Sequence, residues 1–76
     1  MEQRDRAVLA GLSRIRNYLT WFESRDDFNE IWSRRHERAT LLTRLREGEI
    51  TTETDEERAM VRRFKEMCEQ HRKMVY

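Results

Sequence analysis

Apolar side chains along this chain recur at alternating steps of four and three. In the first segment Val8, Leu12, Ile15, Leu19 and Phe22 form one unbroken row, which predicts an amphipathic helix over about residues 4–23. The row loses phase at "ESRDDF", because Asp26 and Asn29 stand where a continuing helix needs apolar residues. Asp27 followed by Glu30 has the spacing of a capping box. A second helix is therefore expected over about 27–46, carrying Phe28, Ile31, Trp32, Ala39, Leu42 and Leu45 on its apolar side. Ser24 and Asp26 are rival caps, and one bent helix across 4–47 is the alternative. Gly48 stands where a left-handed residue ends a helix. Thr54 with Glu57 repeats the capping spacing, and Asp55, Glu56 and Glu57 fill a first turn in which acids complement the helix dipole. The third helix, about 55–74, brings Met60, Val61, Phe64, Met67, Cys68, His71, Met74 and Val75 to one side.

No proline interrupts these segments, the only glycines are Gly11 and Gly48, and strand-like alternation is absent. The expected fold is all-α, one domain over 1–76, with two long antiparallel helices, an acidic linker at 47–54 and a third helix. At 76 residues the core is marginal, since a chain this short buries only about 60% of its unfolded surface. Cys68 is the single cysteine, so no disulfide staples the chain. A homodimer packing two hairpins into a four-helix-type bundle would supply the missing burial. No run approaches the roughly 18 apolar residues of a membrane span. "AVLAGL" is too short for a signal-peptide core, so a soluble, cytoplasmic protein is expected.

Charge sharpens the picture. The net charge is +1, yet arginine outnumbers lysine fourteen to two. Residues 1–46 carry ten arginines against seven acids, 58–76 carry six bases against two acids, and "EGEITTETDEE" between them holds six acids and no base. Guanidinium offers a planar fork of donors that suits phosphate. Further rows run beside the apolar ones: Ala7, Gly11, Arg14, Tyr18, Trp21 and Arg25 on the first helix, Arg34, Arg38, Leu41 and Leu45 on the second, and Arg58, Arg62, Lys65 and Arg72 on the third. Arg35 falls within the apolar row of the second helix, so it must reach an acid or emerge at an open edge. Rows of cations spaced along a rod of roughly 30 Å can touch phosphates across the shallow minor groove of duplex RNA. Catalysis finds little support. His36 and His71 stand in unrelated settings, no nucleophile or glycine-rich loop is visible, and the acidic linker lacks the pattern of a calcium loop. No cofactor, metal or small-molecule substrate is expected, and Cys68 and His71 are expected in the core.

One stretch adds a family. Leu45 and Glu47-Gly48 close the long helix, a Thr/Glu-rich linker follows, and "EERAMVRRFKEM" opens the last helix. Over about residues 41–68 this resembles the small RNA-silencing suppressors of nodaviruses, the B-two proteins. The resemblance implies a homodimeric bundle that lies along double-stranded RNA and shields it from Dicer-like cleavage in the host cytoplasm. Basic residues of the long helices would make the contacts, here Arg34, Arg35 and Arg38, with Arg14 and Arg25 beside them. The other function class is a helical protein-interaction module, such as an inhibitor, adaptor or phage-type regulator. Its motive is the near-zero net charge and the flank of Tyr18 and Trp21, residue types that dominate binding hot spots.

Overall fold

A computed structural model describes residues 4–23 and 27–74 of the chain. Four helices follow one another: α1 Arg6–Phe22, α2 Phe28–Ser33, α3 Arg35–Arg46 and α4 Asp55–Met74. Among the described residues there is no strand. No described helix is long and apolar enough to cross a membrane. The rival caps Ser24 and Asp26, with Arg25 between them, lie outside the described residues.

Local chemistry sets each boundary. The Asp5 carboxylate accepts from the Ala7 N–H at 2.8 Å and caps α1. Asp27 caps α2, accepting from the amides of Asn29 at 2.9 Å and Glu30 at 3.3 Å. The helix expected over 27–46 is two helices. At Arg34 the backbone leaves the helical well (φ −100°, ψ 12°), and its N–H is shared between the carbonyls of Glu30 and Ile31 at 3.2 and 3.3 Å. The Ser33 hydroxyl donates back to the Glu30 carbonyl at 2.8 Å, a local bond of the kind that bends helices.

The end of α3 matches expectation. Gly48 has φ +79°, the Glu49 amide reaches back to the Arg44 carbonyl at 2.9 Å, and the Gly48 amide reaches Leu45 at 3.2 Å. The Thr54 hydroxyl oxygen accepts from the Glu57 amide at 3.1 Å and starts α4. The Glu57 carboxylate accepts from the Glu53 amide at 2.9 Å, one residue before the expected reciprocal partner. Its other oxygen takes the Arg4 guanidinium at 2.6 Å, tying the start of α1 to the start of α4.

The core is one cluster: Leu12, Ile15, Tyr18, Leu19 and Phe22 of α1, Ile31, Leu41, Ile50 of the linker, and Val61, Phe64 and Cys68 of α4. Contacts between α1 and the second limb step in opposite senses, Trp21 with Glu30, Tyr18 with Arg38, and the Ala7 carbonyl with Arg44. The particle is a rod of 45 × 21 × 15 Å.

One expectation fails in an informative way. Of the row expected to face inward on the second limb, only Ile31 is buried. Leu42 and Leu45 are half-buried, while Phe28, Trp32 and Ala39 are exposed. The neighbouring row turns inward instead, with Ile31, Arg38 and Leu41 buried and Arg34 and Leu45 at its edges. Gly11 and Tyr18, expected on a flank of α1, are buried as well.

Candidate interaction surface

The inward turn of Arg38 decides the local geometry. Its guanidinium donates to the Tyr18 phenol oxygen at 3.2 Å and, at 3.5 Å, to the Ile31 carbonyl. Guanidinium can only donate, so the phenol oxygen accepts from it, and a second hydrogen bond joins the phenol to the Nδ1 of His71, 2.7 Å away. Burial raises the Tyr18 hydroxyl above the ordinary phenol range, against the opposing hydrogen bond from Arg38. The ring itself packs edge-on against Phe64 at 5.3 Å and tilted against Phe22 at 4.7 Å. Cys68 lies in the same core, and burial pushes its thiol up to about 12, so it holds no thiolate at neutral pH.

Of the five arginines singled out from the sequence, the four described ones, Arg14, Arg34, Arg35 and Arg38, do not converge. Arg38 is inside. Arg34 lies 4.5 Å from the Trp21 ring and 3.7 Å from the Glu37 carboxylate. Arg35 lies 3.9 Å from the Trp32 ring and donates to the Trp32 carbonyl at 2.8 Å, so it emerges at an edge as expected but meets no acid among the described residues. Arg14 is exposed and borders a shallow depression of about 300 Å³ together with Glu37, Thr40, Leu41 and Arg44. Arg25 lies outside the described residues. Most other guanidiniums meet carboxylates: Arg4 with Glu53 and Glu57, Arg44 with Glu49, Arg58 with Asp55, Arg63 with Glu23 and Arg72 with Glu69. On α4 a second depression of about 400 Å³ is bordered by Thr52, Arg58, Val61, Arg62, Lys65 and Glu66.

What the sequence left unrecognised is the surface created by this choice of rows. Phe28 and Trp32, one helical turn apart, are 48% and 43% exposed. Arg35 stacks on Trp32, and exposed Ala39 and half-buried Leu42 continue the row along α3. The spacing of 28, 32, 35, 39 and 42 is that of a helix-packing face. Among the described residues Arg35 has no carboxylate partner. The signal was present in the sequence: the second limb carries two adjacent rows with helical spacing, and only one can face α1.

No protein-family model matches the chain, and no curated protein or solved structure matches it.

Proposed function

We propose that this chain is a non-catalytic helical docking protein that recognises a partner through the row Phe28, Trp32, Arg35, Ala39 and Leu42. The observation that carries this is the pair of half-exposed aromatics beside a guanidinium with no carboxylate partner among the described residues. Trp and Arg are the residue types that dominate binding hot spots. An exposed aromatic pair is also unusual on a chain in which 41% of residues are charged. The chemistry inside the fold fits the non-catalytic part: the one thiol is buried and protonated, and the phenol, imidazole and guanidinium of the core bond to one another. Panning displayed amphipathic helices over the folded chain tests the proposal. Helices retained by the native chain and lost on Phe28→Ala/Trp32→Ala are the expected result. Equal retention by both proteins, with unchanged helical circular dichroism, overturns it.

A second reading is the duplex-RNA suppressor that the family resemblance implies, and a specific feature favours it. Arg62 and Lys65 border the α4 depression beside Arg58 and the Thr52 hydroxyl, and neither has a carboxylate partner among the described residues. In this reading two antiparallel hairpins associate as a homodimer, and the α4 rows of both copies track phosphates in the host cytoplasm. Gel shifts with duplex RNA, duplex DNA and single strands at two salt concentrations decide it. Salt-sensitive retention of duplex RNA that Arg62→Ala/Lys65→Ala abolishes supports it, and no retention of any strand at low salt removes it. Light scattering that finds only monomer at micromolar concentration removes the dimer.

A further inference from the structure

The uncovered row on α2 and α3 also states what should cover it. Resting on the docking reading above, we infer that it takes an amphipathic helix of another protein whose own apolar row is interrupted by a carboxylate.

Phe28 and Trp32 stand one turn apart on α2, 48% and 43% exposed, and leave an apolar face uncovered. The row itself is built for a rod-shaped occupant. Phe28 and Trp32 on α2 and Ala39 and Leu42 on α3 present large, large, small and medium side chains on either side of the joint at Arg34, a relief that interdigitates with a second helix.

Charge selects which helix. Arg35 stands at the middle of the row and Arg46 at its end, and the row carries no acid. The same row of a second copy of this chain offers Arg35 apolar side chains and a like charge but no carboxylate. A carboxylate at that point relieves the problem. The Arg35 guanidinium is already held by its stack on Trp32 at 3.9 Å and its bond to the Trp32 carbonyl at 2.8 Å, so little rotamer freedom is lost on binding. One of its N–H groups is used there, and the rest of the fork can take a carboxylate through paired charge-assisted bonds. A single-stranded nucleic acid could stack one base on Trp32 and place a phosphate on Arg35. Nothing aromatic follows Trp32 along the row, however, and the aliphatic continuation through Ala39 and Leu42 favours a helix.

The test displays a library of amphipathic helices of about 18 residues, randomised at the centre of the apolar row, against the full chain and its Arg35→Glu variant. The expected result is enrichment of Asp and Glu by the native chain and of Lys and Arg by Arg35→Glu. A single selected helix should lose at least about tenfold in affinity when its central acid becomes Lys. Retention of helices with no preference at the centre overturns this inference and leaves the docking reading intact. Retention of no helix overturns both. Concentration-dependent dimerisation abolished by Trp32→Ala assigns the row to a second copy, and a labelled single-stranded oligonucleotide lost on the same substitution assigns it to nucleic acid. Either outcome overturns the acidic-helix inference.

Discussion

Replacing Gly11 by Ala should destabilise the protein in one background and stabilise it in another. A methyl group built on Gly11 would stand 2.7 Å from both Cδ1 and Cγ1 of Ile50. Carbon pairs attract best at about 3.5–4.0 Å, so the linker must shift or Ile50 must leave its seat. Ile50 is buried and anchors the linker between α3 and α4 to the face of α1. Two effects oppose each other. Ala is favoured over Gly in a helix interior by about 1 kcal/mol, and forcing a methyl into a filled site costs about 1–3 kcal/mol. The single variant should therefore lie between neutral and about 2 kcal/mol less stable. With Ile50→Ala in place all three nearby side-chain atoms are gone, and the same Gly11→Ala change should stabilise by about 1 kcal/mol. Ile50→Ala alone should cost about 2–4 kcal/mol. Urea unfolding of the four proteins, followed by circular dichroism, reads the cycle, and a coupling of about 1–3 kcal/mol moves midpoints by about 1–2 M. If Gly11→Ala stabilises both backgrounds by the same amount, Ile50 does not sit on Gly11 and the linker is held some other way.

Three further outcomes are expected. Tyr18→Phe strips a partner from both Arg38 and His71 and should cost about 2–4 kcal/mol, whereas Arg38→Met keeps the phenol–imidazole bond and should cost under about 1 kcal/mol. Denaturation that ranks the two the other way contradicts the hydrogen bonds given above. The Arg4 guanidinium and the Glu53 amide hold the Glu57 carboxyl at about 2, below its usual 4.5. A depressed folded value stabilises above the unfolded one and is lost as pH falls through about 2, so stability should decline from pH 4.5 toward 2. The Glu57 share is on the order of 1 kcal/mol once solvent screening is allowed for; an identical acid-unfolding curve for Glu57→Gln would rule it out. Cys68 should react with a thiol reagent only as fast as the chain opens, so modification rates should rise with urea. Rapid labelling in native buffer would contradict its burial.

Two of the three packing faces were legible in the sequence for a simple reason. In α1 and α4 one apolar row runs unbroken at helical spacing and is buried, although on α1 the burial widens to take in Gly11 and Tyr18 of the flanking row. The end of α3 was equally legible, because a glycine at positive φ leaves few ways to finish a helix. The second limb offers two rows, the expected one of Phe28, Ile31, Trp32, Ala39, Leu42 and Leu45 and the line of Arg34, Arg38, Leu41 and Leu45 beside Ile31, and hydropathy prefers the first because the second contains two arginines. The fold takes the second. Its reason lies on another element: the Tyr18 phenol, itself bonded to the His71 ring, is a buried polar partner for Arg38, and no local pattern announces a partner 20 residues away. The joint at Arg34 was hidden for a related reason, since Ser33 and Arg34 are both tolerated in regular helices.

How the candidate arginines are arranged was hidden by the same cause. Arginine spacing shows that guanidiniums share a face, but not whether that face meets phosphate, phenol or indole. Once Arg38 turns inward the expected line of contacts loses its centre, and Arg34 and Arg35 are carried to opposite flanks, one over Trp21 and the other over Trp32. The consequence is geometric. On α2 the burial of Ile31 leaves Phe28 and Trp32 outward, and on α3 the burial of Arg38 and Leu41 leaves Ala39 outward, so the inner and outer rows are distinct on both sides of the joint at Arg34. Restoring hydrophobic residues to the inner row, as in Arg38→Met, should therefore leave partner binding through the outer row unchanged. Loss of binding in that variant without loss of stability would mean that the two rows are not separate surfaces.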